Sequence, residues 1–82
     1  MTNSEKLFLI LAEELNFRRA AARAFLSQQG LSDHIRRLEG CYGTPLFYRR
    51  PRVSLTPAGE AVQRTLQRVK NLESGLEAEL AE

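Results

Sequence analysis

Hydrophobic residues recur at helical spacing in the first part of the chain. Thr2 and Glu5 have the spacing of a capping box and predict a first helix that runs to about Glu14. Residues 7–11, L-F-L-I-L, are continuously apolar, which is more than one helix face needs. We therefore expect this helix to be covered on two sides.

A second, short helix is predicted to begin after Asn16, a good N-cap residue. It is rich in alanine, which allows another helix to approach closely, and Phe17 and Phe25 are expected to supply bulk around the alanines. A brief turn before Ser27 separates it from the next helix. Two helices joined by so brief a turn are typical of a helix-turn-helix unit, here about residues 17–38, although an ordinary helical hairpin has the same pattern.

The helix after this turn, about residues 28–39, has one apolar and one polar face. Leu31, Ile35 and Leu38 form the apolar stripe, and Ser27 is a suitable N-cap. The other face carries amide, hydroxyl, carboxylate and guanidinium groups, the side-chain types that hydrogen-bond base edges in a DNA major groove. The residues on and beside that face are Gln29, Ser32, Asp33, Arg36 and Arg37. The pattern indicates a recognition helix.

A β-hairpin is predicted to follow this helix. Gly43 to Pro45 ends the helix, and two short runs of β-forming residues lie within 46–55. Between the two runs is R-R-P-R (49–52), an arginine-rich tip. Such a tip can reach phosphates or a narrow minor groove, but it can also be basic only because it is exposed.

A long last helix is predicted to start at Thr56 and Pro57, an N-cap followed by proline. Its apolar residues recur about every 3.5 positions and form an imperfect heptad seam. The seam consists of Val62, Leu66, Val69, Leu72 (or Glu73), Leu76 and Leu80. We expect it to pack partly on the first helix and partly on a second copy of the chain. Gly75 predicts fraying or a kink from that point onward.

The composition is that of one small globular domain, with 82 residues of which 43% are hydrophobic and 27% charged. No segment is apolar enough to cross a membrane, and the N-terminus lacks the pattern of a signal peptide. The lone cysteine, Cys41, cannot form an internal disulfide bond, which favours a reducing cytoplasm.

Basic charge is concentrated in the middle of the chain. Residues 16–52 contain eight arginines against Asp33 and Glu39, whereas the rest holds four basic residues against eight glutamates. A compact positive patch between acidic flanks favours a polyanionic partner. A merely solvated basic surface is the simpler alternative.

The sequence gives no sign of catalysis, of a cofactor or of a metal site. His34 is the only histidine and Cys41 the only cysteine, so no pair has metal-ligand spacing. Ser32, Asp33 and His34 are the residue types of a catalytic triad, but neighbours on a helix point about 100° apart and cannot form a relay. We predict a protein that is not an enzyme and binds no cofactor.

Four blocks of the sequence follow one another in a characteristic order. They are N-F-R-R-A-A (16–21), L-S-Q-Q-G-L-S-D-H-I-R-R-L-E (26–39), G-T-P-L-F-Y-R (43–49) and V-S-L-T-P-A-G (53–59). In this order and spacing they resemble the DNA-binding domain of LysR-type transcriptional regulators of bacteria. The resemblance implies a mainly α-helical fold. A winged helix-turn-helix domain with three helices and a two-stranded wing would span residues 1–59, and a linker and dimerisation helix would span 57–82.

The same resemblance implies a homodimer, or a tetramer in the full-length protein, that binds double-stranded DNA at an imperfect inverted repeat. It implies base-edge contacts from Gln28, Gln29, Ser32 and Asp33. It implies phosphate contacts from Arg18, Arg19, Ser27, Arg36 and Arg37. It implies wing contacts from Arg49, Arg50 and Arg52, of which Arg49 is the arginine of the family's L-F-x-R pattern. The dimer contacts would come from Val62, Leu66, Val69, Leu72 and Leu76.

The chain departs from the family pattern at several positions. Gln29 and Gly30 stand where proline and alanine or threonine are frequent. Ala24 stands where a larger aliphatic residue is usual, and Phe25 is expected to fill the space. Members of the family also carry an effector-binding domain after the linker helix. Because these 82 residues lack it, we expect an excised fragment or a natural short form, on which a small-molecule inducer would act only through the missing domain.

Position 33 is a further departure, because family members frequently have a basic or amide-bearing residue there. Asp33 can accept a hydrogen bond from cytosine N4. It can equally pair with Arg36 or Arg37 at helical spacing. The sequence leaves both roles open.

Two functions are compatible with these patterns. The first is a sequence-specific, dimeric DNA-binding module that regulates transcription in the bacterial cytoplasm. The alternative is a helical dimerisation or protein-interaction module whose arginines meet an acidic protein partner, supported by the long seam after Thr56. Binding to duplex DNA that weakens steeply with salt distinguishes the first from the second.

Overall fold

The computed structural model describes residues Met1 to Glu82 and consists of four helices and a two-stranded sheet. In chain order the elements are α1 (Asn3–Glu14), α2 (Phe17–Arg23), α3 (Gln28–Tyr42), β1 (Phe47–Tyr48), β2 (Ser54–Leu55) and α4 (Pro57–Leu80). This is the predicted winged helix-turn-helix architecture with a long C-terminal helix. None of the four helices combines the length and the apolar character needed to span a membrane.

Every helix begins at the N-cap residue that the sequence predicts. Thr2 Oγ1 accepts a hydrogen bond from the Glu5 N–H at 3.2 Å, and the Glu5 carboxylate accepts one from the Thr2 N–H at 2.7 Å. The side chains of Asn16, Ser27 and Thr56 each accept from the backbone N–H three residues later, at 2.8, 3.0 and 2.9 Å. These bonds satisfy backbone donors that a helix start otherwise leaves free.

The core is built around α1, which packs against α2, α3 and α4. Its apolar run is covered as expected, since Ile10 is the only residue of 7–11 that is not fully buried. The other helices contribute Ala20, Ala21, Leu31, Ile35, Leu38 and Leu66. The rings of Phe8 and Phe47, 5.2 Å apart between centroids, join α1 to the sheet.

The sheet is a short antiparallel ladder in which Phe47 lies opposite Leu55. It is shorter than the hairpin predicted over 46–55, because Leu46 and Val53 lie outside the ladder. Leu46 is fully buried, and its carbonyl oxygen accepts a hydrogen bond from the N–H of Thr56 at 3.0 Å. The base of the wing is therefore fastened to the start of α4.

Phe25 does not fill the space beside the alanines, and the expectation that it would was wrong. Its side chain is 96% exposed, and its backbone has a φ of 56°. Its N–H donates to the Ala22 carbonyl at 3.2 Å, and the N–H of Leu26 donates to the Ala21 carbonyl at 2.9 Å. This pair of bonds is a Schellman motif, whose left-handed residue is usually glycine. The left-handed backbone turns the aromatic ring outward to solvent.

Phe25→Gly should raise the free energy of unfolding by about 0.5–1 kcal/mol, because glycine adopts a positive φ without the steric penalty of a Cβ. The Phe25 ring is almost fully exposed, so its removal loses few packing contacts. Thermal unfolding followed by circular dichroism measures the effect. Phe25→Ala is the matched control, since it keeps the Cβ in the strained conformation and should not stabilise the fold. Equal stability of the two variants would contradict the strain argument.

The apolar seam of α4 is divided between the domain's own core and solvent. Leu66 is buried in the core and Val62 packs against it, so these two predicted dimer contacts belong to the domain itself. Val69 is half-buried. The exposed leucines are Leu72, Leu76 and Leu80, with 74%, 56% and 75% of their surface accessible. The helix continues through Gly75 to Leu80, which corrects the predicted fraying, since an isolated glycine weakens a helix without ending it.

Candidate nucleic-acid interface

The two faces of α3 have the burial predicted from their periodicity. Leu31, Ile35 and Leu38 are at most 8% exposed and anchor the helix in the core. The helix extends beyond the predicted end to Tyr42, where Gly43 closes it in a left-handed conformation with a φ of 70°. The stable inner face leaves the polar face directed away from the domain.

The predicted base-contacting side chains lie together on this outer face. Gln28, Gln29 and Asp33 are exposed, and Ser32 is half-buried at the margin. Beside them is an open depression of about 310 Å³ between α3, the start of α2 and the base of the wing. Its lining residues are Phe17, Gln28, Gln29, Ser32, Arg36, Arg49 and Val53. The fold thus places the outer face of α3 next to the wing.

The carboxylate of Glu39, in the last part of α3, holds the wing to this helix. Glu39 Oε2 accepts hydrogen bonds from the N–H groups of Leu46 and Phe47 at 2.8 and 3.3 Å. Glu39 Oε1 lies 3.3 Å from a guanidinium nitrogen of Arg49, whose planar head also stands 5.5 Å from the ring centroid of Phe17. One acidic side chain therefore fixes both the backbone at the start of β1 and the arginine that follows the strand.

This arrangement corrects the expectation that Arg49 extends from the wing tip. Its side chain is 32% exposed and is engaged by Glu39 and Phe17. The two other wing arginines, Arg50 and Arg52, are exposed at the tip and form no ion pair. Arg49 is therefore held by Glu39 and Phe17, and the free charge of the tip comes from Arg50 and Arg52.

Part of the basic cluster is neutralised by the C-terminal end of α1. Arg23 donates to Glu13 at 2.8 Å and to Glu14 at 2.9 Å, and these hydrogen bonds raise the pKa of its guanidinium above the usual value. Arg19 lies 3.5 Å from a carboxylate oxygen of Glu14. The arginines of residues 16–52 that form no ion pair are Arg18, Arg36, Arg37, Arg50 and Arg52. The available positive charge is therefore carried by α3, the start of α2 and the wing tip.

Asp33 does not form the ion pair with Arg36 or Arg37 that was one of its two predicted roles. It pairs with no arginine of α3, and its Oδ1 accepts a hydrogen bond from Gln29 Nε2 at 2.9 Å. The neighbouring His34 lies on the flank of α3, where its Nδ1 is 3.3 Å from Ser4 Oγ on α1. The amide and the carboxylate on the outer face thus form one hydrogen-bonded pair.

The sequence reasoning missed two residues that shape this surface, Glu39 and Phe17. Glu39 is one of two acidic residues in a segment of eight arginines, and its position in the sequence does not indicate that it bonds the wing. Phe17 was expected only to add bulk, and it also provides the aromatic face beneath Arg49. Among the described residues, no group of three or more histidine, cysteine, aspartate or glutamate side chains is placed to hold a metal ion.

Comparison with known proteins places this architecture in a family. The family model for bacterial regulatory helix-turn-helix proteins of the lysR family matches residues 3–60. The HTH-type transcriptional regulator XapR of Escherichia coli K12 is 49% identical over 65 residues, which are 78% of this chain and 22% of XapR.

Two solved structures have a closely similar fold. The structure of Vibrio fischeri DarR in complex with DNA superposes with a TM-score of 0.83 and 30% identity, over 99% of this chain and 29% of DarR. The BenM DNA-binding domain in complex with benA site 1 DNA gives a TM-score of 0.91 and 25% identity, over 99% of this chain and 96% of that domain. The chain spans about a fifth of the length of XapR. The family match, the relatives and the fold agree with the resemblance of the four sequence blocks, and the chain belongs to the LysR family of bacterial regulatory helix-turn-helix proteins.

Proposed function

We propose that this chain binds double-stranded DNA sequence-specifically, as the DNA-binding domain of a LysR-type transcriptional regulator. The observation that carries the proposal is the outer face of α3. It exposes amide and carboxylate groups beside unpaired arginines and next to the wing. Groups of this kind on a helix recognise base edges in the major groove, and the arginines neutralise phosphates. DarR and BenM, whose solved structures contain DNA, have the same fold.

The proposed contacts follow the exposure of the side chains. Base edges would be contacted by Gln28, Gln29, Ser32 and Asp33. Phosphates would be contacted by Arg18, Arg36, Arg37 and the helix start at Ser27. Arg19 would contact a phosphate by leaving the Glu14 carboxylate, with which it is paired in the free protein. Arg50 and Arg52 would extend from the wing to the adjacent backbone or minor groove. The protein would act in the bacterial cytoplasm, where the chromosome lies.

The exposed leucines of α4 support a homodimer. Leu72, Leu76 and Leu80 form an apolar edge that nothing in the chain covers. The basic residues Arg64 and Arg68 lie in the first half of the helix, whereas Glu77 and Glu79 lie at its end. An antiparallel pair centred near Leu72 brings Arg68 beside Glu77 of the partner subunit, while a parallel pair brings like charges together. A two-fold dimer of this kind would bind an inverted repeat.

The alternative, a module that binds an acidic protein, has weaker support. Its acidic partner would be bound by the arginines, yet these lie on α3 and the wing and not along the exposed seam of α4. The relatives are transcriptional regulators, and the structural neighbours include complexes with DNA.

Selection of bound duplexes from a random pool, followed by gel-shift titration, tests the proposal. The selected sequences should share an imperfect inverted repeat with half-sites about one helical turn apart. Affinity should fall more than about tenfold between 50 and 200 mM salt, because bound arginines release counterions from phosphates. Arg52→Ala should weaken binding similarly on all sequences, whereas Gln28→Ala should change sequence preference.

Two outcomes would contradict parts of this proposal. Enrichment of single half-sites would count against the dimer. Absence of binding to any duplex at low salt would overturn the DNA-binding function and favour the protein-interaction alternative.

A further inference from the structure

The hydrogen bond between Gln29 and Asp33 determines how the recognition face can present its polar atoms. Gln29 Nε2 donates to Asp33 Oδ1 at 2.9 Å across one turn of α3, and both side chains are exposed. Arg36 and Arg37, the arginines at pairing distance along the helix, make no ion pair with Asp33. The second carboxylate oxygen of Asp33 is therefore free to accept from another molecule.

The bond also fixes which way the amide of Gln29 faces. A carboxylate accepts from an amide NH₂ but never from an amide oxygen, so the Oε1 of Gln29 must point away from Asp33. The pair then presents Oε1 and the free Asp33 oxygen as acceptors, one remaining amide N–H as a donor, and a net negative charge. An adenine edge offers an N6 donor next to an N7 acceptor, and a cytosine edge offers an N4 donor.

We propose that Gln29 and Asp33 act as one unit that selects a base with an exocyclic amino group in the major groove. This proposal rests on the proposed DNA-binding function. Adenine satisfies the fixed amide with both N6 and N7, and cytosine satisfies the free carboxylate oxygen with N4. Guanine O6 and thymine O4 are acceptors; they would face the two acceptor oxygens and the negative charge of the pair, with only one amide N–H able to donate to them. The unit therefore discriminates amino-bearing from keto-bearing bases at one position of each half-site.

The test uses the sequence obtained by selection with the wild-type chain, with all four bases placed in turn at each half-site position. At one position, gel-shift titration should show at least about tenfold tighter binding to duplexes with adenine or cytosine than to duplexes with guanine or thymine. Asp33→Asn should reduce that ratio below about threefold, since the asparagine amide can donate to O6 or O4 and carries no charge. If adenine is the target, Gln29→Ala should abolish the preference. If cytosine is the target, Asp33→Ala should abolish it.

Two controls separate this role from simple helix stabilisation and from charge alone. Glu60→Gln removes one exposed carboxylate from α4 and should leave every base preference unchanged. A pair that only stabilises the helix would lower the melting temperature of Asp33→Asn without altering the base ratios. The proposal is overturned if Asp33→Asn retains the wild-type ratios at every position, or if the position sensitive to Asp33 prefers guanine or thymine. Failure of the wild-type chain to bind any duplex would instead contradict the proposed function.

Discussion

Gly59→Ala should lower the free energy of unfolding by about 3 kcal/mol or more, the largest effect that we expect from a single methyl group in this chain. Gly59 lies in the first turn of α4, where a Cβ would overlap the backbone carbonyl of Leu46 and come within 3.0 Å of a Leu55 methyl carbon. The Leu46 carbonyl cannot simply move, because it accepts the Thr56 N–H, while the Thr56 hydroxyl donates to the Pro45 carbonyl at 2.8 Å. The added methyl group must therefore break the junction between α4 and the wing.

Urea denaturation followed by circular dichroism measures this loss. Gly75→Ala is the matched control in the same helix, because a Cβ there meets no atom within 4 Å. It should leave the fold intact and raise the free energy of unfolding by up to about 1 kcal/mol. If both substitutions had similar effects, the close approach of α4 to the Leu46 carbonyl would not be a feature of the folded protein.

Glu39→Ala should lower the free energy of unfolding by about 2–4 kcal/mol, because its carboxylate serves three partners. Its side chain is only 13% exposed, and it accepts from the buried N–H groups of Leu46 and Phe47. Removal leaves these donors and the Arg49 guanidinium without their acceptor. The amide protons of residues 46 and 47 should exchange with solvent much faster, and the wing should lose its fixed position beside α3.

Arg49→Ala separates the ion pair from the bonds to the backbone. It leaves Glu39 with its two N–H donors, and the arginine side chain is 32% exposed, so its loss should cost only about 1 kcal/mol. Arg50→Ala, at the exposed tip, should be close to neutral in stability. A loss from Arg49→Ala as large as that from Glu39→Ala would mean that the ion pair, and not the backbone bonds, holds the wing.

Much of the fold was predictable because the decisive contacts join residues that are close together in the sequence. The capping side chains bond to N–H groups three residues away, and the apolar stripe of α3 repeats at helical spacing. The outer face of α3, with Gln29 and Asp33, was predicted for the same reason. The burial predicted for Phe25 was wrong because an aromatic residue is ordinarily buried. The left-handed position was not predictable because it is occupied by Phe25 and not by glycine.

The partners of charged and partly buried side chains were not predictable, because they lie on different elements. Arg49 meets Glu39 ten residues away and Phe17 on α2, and no periodicity of the sequence relates these positions. Similarly, the seam of α4 shows one repeat along its whole length, yet packing against α1 buries Leu66 and leaves Leu72 exposed. The start of the chain marks that division, because the Met1 amino group lies 2.7 Å from the Glu73 carboxylate and α1 does not extend farther along α4.

The amino-acid sequence by itself thus determined where the helices begin, which face of α3 is buried and which family the chain resembles. These properties depend on hydrogen bonds and spacings within a few residues. Only the tertiary structure decided which arginines remain free, which leucines of α4 stay exposed and how the wing is held beside α3. Those outcomes depend on contacts between elements distant in the chain, where geometry and not residue type selects the partner.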